Sequence, residues 1–299
     1  MRRSFIALLA GGLVLGASTS VAAEEDETSS GREAPGWREA LRGPFRSSRV
    51  FALPTAHVVG AYQLSLSGDA SLLTESDALS TTSVVALGFG DIAQLEYRSA
   101  GAVTETNLVD DETVLDTFGV QLQAPYRPGG WIPAVAAALR LGLPQAVDSG
   151  TSVSHEQRAD DLYFVASWDV RRRLLLHTGL RITGAQIASE GEGAPASIKE
   201  TLWLPAAAIE VLLTEEARIA AEVALVPRFS PGSADRASEI SRGGFGRVGV
   251  RWQLHPALVV DASVGYRIEV QLLEAERTDM ARALVDWDLR LGAEVFVPW

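Results

Sequence analysis

The stretch Ala283–Trp299, ALVDWDLRLGAEVFVPW, decides the fold. Trp287, Leu289, Leu291, Ala293, Val295, Val297 and Trp299 fall on one parity, and Asp286, Asp288, Arg290, Gly292 and Glu294 on the other. Period two belongs to a strand with one apolar and one polar face, whereas a helix would scatter both sets around its circumference. Residues 258–270 repeat the pattern. Leu258, Val260, Ala262, Val264, Tyr266 and Ile268 oppose Val259, Asp261, Ser263, Gly265, Arg267 and Glu269.

The same segmentation, carried toward the N-terminus, predicts strands near 57–67, 79–89, 92–104, 113–126, 131–143, 160–170, 174–188, 200–213, 217–229, 243–254, 258–270 and 283–299. Short turns at Gly90-Asp91, Arg127–Gly130, Arg171–Arg173, Thr214–Glu216 and His255–Ala257 alternate with longer polar loops near 68–78, 105–112, 144–159, 189–199, 230–242 and 271–282. Strict alternation of short and long connections, with an even strand number, predicts an all-β fold. The expectation is a closed, antiparallel, up-and-down transmembrane β-barrel of about twelve strands over residues 57–299.

Which face points outward is decided by two features. The aromatics of the apolar face gather at strand ends, as an interfacial girdle requires. Phe89, Tyr126, Trp131, Trp168 and Trp299 lie beside the short turns, and Trp203, Phe229 and Trp287 beside the loops. The other face mixes Gly and Ala with charges of both signs, which suits a crowded interior. By parity that lumen face carries Arg98, Arg140, Arg173, Arg181, Arg218, Arg247, Arg251, Arg267 and Arg290. Against them stand Glu96, Asp169, Glu210, Glu222, Asp261, Glu269, Asp286, Asp288 and Glu294, with Ser167 and His177 facing the same way.

The C-terminus resembles the assembly signal of the Gram-negative bacterial outer-membrane β-barrel class: a terminal aromatic preceded by apolar residues at alternate positions. Trp299, Val297, Val295, Ala293 and Leu291 fill that pattern. The resemblance implies recognition by the barrel-assembly machinery and a place among outer-membrane lipid and lipopolysaccharide. Trp stands for the commoner Phe, Val297 for a frequent Tyr, and Pro298 removes an N–H from the closing strand.

The N-terminus agrees with export. Arg2 and Arg3 precede the apolar run Phe5–Ala17, and Val21-Ala22-Ala23 offers small residues before Glu24. Residues 1–23 are therefore expected to be a cleaved signal peptide and the protein to reside in the outer membrane. Residues 24–56 are charged and aperiodic, expected as a flexible periplasmic lead-in or partial plug. The 26 basic and 38 acidic residues give a net charge of −12, or −14 without Arg2 and Arg3. That balance excludes a nucleic-acid partner. With no cysteine there is no disulfide, thiol nucleophile or thiolate metal site.

No motif carries chemistry strongly. His57, His155 and His255 lack metal-ligand spacing. Asp110-Asp111-Glu112 and Glu190-Gly191-Glu192 lack the twelve-residue calcium pattern. No metal and no cofactor is expected. The turn at His255–Ala257 sets Arg251 opposite Asp261 as a charge pair. The turn at Arg171–Arg173 sets Ser167 opposite His177, the core of a nucleophilic dyad. In residue type this pair resembles the dyad of outer-membrane barrel hydrolases of similar strand number. Those enzymes carry it on the lipid side with an orienting amide or acid, which Asp169 does not obviously supply. The leading expectation is a small passive porin-like channel for ions or small solutes, not an enzyme. The alternative is a non-conducting barrel that is structural or presents its surface loops. A hydrolase using Ser167 and His177 comes third. Oligomeric state is not legible.

Overall fold

The computed structural model describes residues 48–73, 78–90, 92–104, 116–125, 131–148, 153–171, 173–191, 194–230, 232, 237–268 and 285–298. The expected signal peptide, most of the lead-in, Tyr126, Glu269 and Trp299 lie outside them, as do the side chains of Arg267 and Asp286. Among the described residues the chain forms thirteen β-segments and no helix: β1 (Gln63–Leu73), β2 (Ala78–Phe89), β3 (Ala93–Thr104), β4 (Thr117–Gln123), β5 (Ala134–Gly142), β6 (Gln145–Asp148), β7 (Ser154–Arg171), β8 (Leu174–Glu190), β9 (Ile198–Leu212), β10 (Ala217–Ser230), β11 (Glu239–His255), β12 (Leu258–Ile268) and β13 (Val285–Pro298).

All pairings are antiparallel. β1 closes on β13 from Gln63↔Pro298 to Leu73↔Asp288, so Pro298 sits at the end of the seam, where a missing N–H costs least. β5 and β6 both pair with β7. They are one stave broken at Leu143-Pro144, because Pro144 cannot donate to a ladder. The wall is thus a closed barrel of twelve staves, as the strand and loop count anticipates.

Side chains alternate across this wall. β5 reads buried, exposed, buried from Ala134 onward, and β9 does so from Leu202. Leu66, Val85, Leu139, Ile209, Val250 and Leu289 are exposed on the outer face, and Leu291 is 61 % exposed. Phe89, Trp131, Trp203, Trp252 and Trp287 stand out from the same surface. Phe229 does not. It was expected on the outer apolar face, yet it is buried in a cluster with Ile187, Leu202, Leu204 and Ile240. The alternation loses phase between Ala224 and Arg228, where successive residues are all half-buried, and the inner parity changes from Glu222 to Phe229.

The start of the barrel also differs from expectation. The strand predicted at 57–67 begins at Gln63. Tyr62 holds φ at 57°, a left-handed corner that no strand continues through. Val58 and Val59, whose apolar side chains suggested a strand, are buried because they lie against the inside of the wall.

Candidate functional site

One end of the barrel carries the short turns, including Thr214–Glu216 and Pro256-Ala257. At this turn end, residues 48–60 (SRVFALPTAHVVG) form a strap inside the wall. Val50 and Ala56 are 0 % exposed and Phe51 1 %, while Leu53, Thr55, Val58 and Val59 are buried too. The first half is a tight loop. Val50 N–H donates to Leu53 O at 2.9 Å, Thr55 N–H donates to Ser48 O at 2.8 Å, and Arg49 bridges to Pro54. The loop turns three successive N–H groups in one direction. Such a nest is an anion site, and Glu222 fills it. Its carboxylate accepts from Phe51 N at 3.1 Å, Ala52 N at 3.0 and 3.2 Å, and Leu53 N at 3.3 Å.

The second half runs along the wall. Ala56 N–H donates to Ser167 Oγ at 2.9 Å, Val58 N–H to Gln123 Oε1 at 3.3 Å and Val59 N–H to Gln94 Oε1 at 2.9 Å. Gln121 Nε2 donates to the carbonyls of Thr55 and His57 at 2.8 and 2.9 Å. Arg251 donates to the carbonyls of Arg49 and Val50, and Arg49 to Ser67 Oγ. Close approach needs small wall residues. A Cβ on Gly88 would lie 2.1 Å from Gly60 O, and Ala134, Ala136, Ala138, Ala208 and Ala220 line the remaining contact.

Ser167 and His177 are opposite in register and joined Oγ to Nδ1 at 2.7 Å. His177 Nε2 meets Glu210 Oε1 at 3.1 Å, and Glu210 Oε2 accepts from Arg218 at 2.7 Å. The network assigns the tautomer. In the neutral imidazole Nε2–H donates to the carboxylate, which leaves Nδ1 to accept from the Ser167 hydroxyl while Oγ accepts from Ala56. The orienting acid is therefore Glu210, two staves away from Ser167. Asp169, opposite Leu175, is exposed near the rim, and Arg173 is exposed in the turn, past the register slip between Asp169 and Arg171.

Elsewhere on the inner wall, charges and polar groups pair between adjacent or next-but-one staves. Glu96 accepts from Arg140, whose guanidinium lies 4.7 Å from the Tyr163 ring centroid. Arg181 lies 5.5 Å from the same ring and holds Asp161 through two 2.8 Å bonds, with Thr183 donating to Asp161 at 2.6 Å. Arg247 pairs with Asp288, Arg290 with Asp69 at 2.6 Å, and Glu294 accepts from Ser65 at 2.5 Å. Arg98, half-buried, borders a cavity of about 10 Å³ with Arg49, Arg140, Glu96 and Glu294, room for roughly one water. Leu291, Val297, Ala293 and Val295 hold the opposite, outer parity of β13.

One pair changes partner. Arg251 and Asp261 are opposite in register, but the Arg251 guanidinium turns to the strap carbonyls instead. The charge count along β11 and β12 could not show this, since nothing in it announces a third chain segment inside the wall. Asp69, Asp161, Gln94 and Gln121 were also missed. Asp69 fell in a stretch expected to be loop, Asp161 was passed over in its strand, and Gln does not stand out from a polar face. The parity rule alone would have found the last three.

No family model matches the chain, and no curated protein matches it in sequence. Solved structures do. The NanC porin is 12% identical, covers 77% of this chain and 98% of its own, with a TM-score of 0.49. The translocator domain of the autotransporter NalP from Neisseria meningitidis is 12% identical over 79% and 88%, with a TM-score of 0.46. OmpT of Vibrio cholerae is 11% identical over 81% and 100%, with a TM-score of 0.37. The functional reading therefore rests on the residues of this chain.

Proposed function

We propose that the chain is an outer-membrane β-barrel of the porin-like kind, a passive channel for ions or small solutes shut by its own strap. The observation that carries this is the grip on residues 48–60: main-chain hydrogen bonds to wall side chains whose own staves are already paired. Such a segment can leave without opening the wall. The outer face supports the membrane, since soluble proteins rarely expose so continuous an apolar surface. In this reading the turn end is periplasmic, residues 1–23 are removed on export, and Leu291 to Trp299 meet the assembly machinery. Lipid and lipopolysaccharide then cover the outside. The chain from Ser167 to Arg218 anchors the strap and performs no hydrolysis.

The test is single-channel conductance of the refolded chain from Glu24 against its Glu222→Ala variant. Removing the acceptor of three N–H groups should turn rare, brief openings into sustained ones. A second reading, a non-conducting barrel, draws on the buried apolar cluster of Ile187, Leu202, Leu204, Phe229 and Ile240 inside the loop half. Silence from both proteins would favour it.

A further inference from the structure

The wall addresses the strap chiefly through atoms that every peptide carries. Glu222, Ser167, Gln123 and Gln94 accept N–H groups of Phe51, Ala52, Leu53, Ala56, Val58 and Val59. Gln121 and Arg251 donate to carbonyls of Thr55, His57, Arg49 and Val50. The strap's apolar side chains ask less of the wall. Val50, Phe51 and Leu53 rest on Ala208 and Ala220, and Ala56 on Ala134, Ala136 and Ala138. Glu222 is the selective element. It is buried, and its carboxylate is satisfied here by amide hydrogens. A peptide nest replaces those donors at Glu222, where an anionic group would meet repulsion, and peptide carbonyls satisfy the Arg251 guanidinium freed with the strap.

We infer that the turn-end inner wall is a peptide site. With its own strap released it takes an oligopeptide of similar length, read by its backbone and by apolar side chains at two or three positions. This deepens the channel reading and rests on it only in taking the strap to be removable.

The experiment uses the full exported chain carrying Ala52→Pro and Leu53→Pro, which removes two of the three amide hydrogens and frees the wall. Folding is checked by the mobility difference between unboiled and boiled protein, with Phe51→Asp/Leu53→Asp as the substitute if the proline variant does not fold. The probe is a fluorescent peptide of residues 48–60, followed by anisotropy. Saturable binding is expected. It should be at least about tenfold weaker to the wild-type chain, whose tethered strap competes at high effective concentration. N-methylation of the probe at positions 51–53 should cost at least about tenfold, since charge-assisted bonds are lost. Alanine at positions 55, 57, 58 and 59 of the probe should cost less than about threefold, as those amides and carbonyls remain. Equal binding of the N-methylated probe, loss of binding on the alanine changes, or no binding to the folded variant would overturn the peptide site. Conductance recorded on the same protein separates the two ideas. Binding without conductance keeps the site and removes the channel, and conductance without binding does the reverse.

Discussion

The inner wall makes two different kinds of contact. Above the strap, wall meets wall: Arg140 with Glu96, Arg247 with Asp288, Arg181 with Asp161, each joining staves of one sheet. At the turn end, wall meets strap, and the partners are side chains on one side and main chain on the other. Breaking a contact of the first kind strands a buried charge in the wall. Breaking one of the second kind frees a segment whose groups water can satisfy. The first set should govern the stability of the barrel, and the second should govern occupancy of its mouth.

The largest effect is therefore expected from Arg140→Ala. Both partners are buried, and removal of Arg140 takes away the ion-pair partner of Glu96, which keeps Gln94 Nε2 at 3.2 Å, and one of the two guanidinium neighbours of Tyr163. Loss of one member of a buried pair costs about 3–5 kcal/mol. Urea unfolding in lipid vesicles measures it. A cost near zero would mean that the wall pairs contribute no more than the strap contacts, and the contrast between the two regions would fail.

On the outer surface of the same wall, Val250→Arg comes next. Val250 is exposed, and a lipid-facing Arg costs roughly 2–4 kcal/mol at the midplane and less toward an interface. Val250 lies near the turn end, so about 2 kcal/mol is expected in the same titration. No cost would remove the lipid from the outer face and the membrane from the functional reading.

That outer face was legible in the sequence because period-two alternation survives in nearly every stave. The stave count, the Ser167–His177 and Arg251–Asp261 registers and the seam at β13 follow from it. The interior was less so. Residues 57–60 read as strand because burial against the inside of a barrel selects the same apolar residues as burial within its wall. Phe229 was misplaced where β10 changes phase, which parity counted from one end cannot detect. Glu210 meets His177 diagonally on the adjacent stave, two residues from the directly opposite Ala208, and Arg251 abandons its opposite number for a segment distant in sequence. Pairing rules describe adjacent strands, whereas a closed interior brings together residues on any stave.

Arg251→Ala tests the strap side of the comparison. With its guanidinium on the carbonyls of Arg49 and Val50, its loss should cost the barrel only about 1.5 kcal/mol, the lower end of the range for hydrogen bonds to charged groups. The strap should respond more. The Arg49-Val50 bond, half-buried to buried in the folded chain, should become a site of rapid tryptic cleavage in the variant and stay protected in the wild type. Protection in both would mean that Glu222 and the glutamines hold the strap without Arg251.

The smallest effect is expected from Ser167→Ala, which also separates the anchor from a catalytic dyad. Ser167 accepts one strap N–H and donates to His177, and both bonds vanish in the variant. His177 keeps Glu210 through Nε2, and Glu210 keeps Arg218, so no charge is stranded. A buried donor at Ala56 and a buried acceptor at His177 each lose a partner, which together cost on the order of 1–3 kcal/mol if nothing relaxes. The free end of the strap can shift toward water, so the lower end, about 1 kcal/mol, is expected. Hydrogen exchange should quicken at Ala56 and leave Phe51–Leu53 slow, because Glu222 still fills the nest. A nucleophilic serine would give a different record. Ester hydrolysis by the strap-released Glu222→Ala protein would disappear on adding Ser167→Ala, while exchange at Ala56 would be fast already. If such hydrolysis exists and is lost, Ser167, His177 and Glu210 are a catalytic set held under the strap; if there is none to lose, they are its anchor.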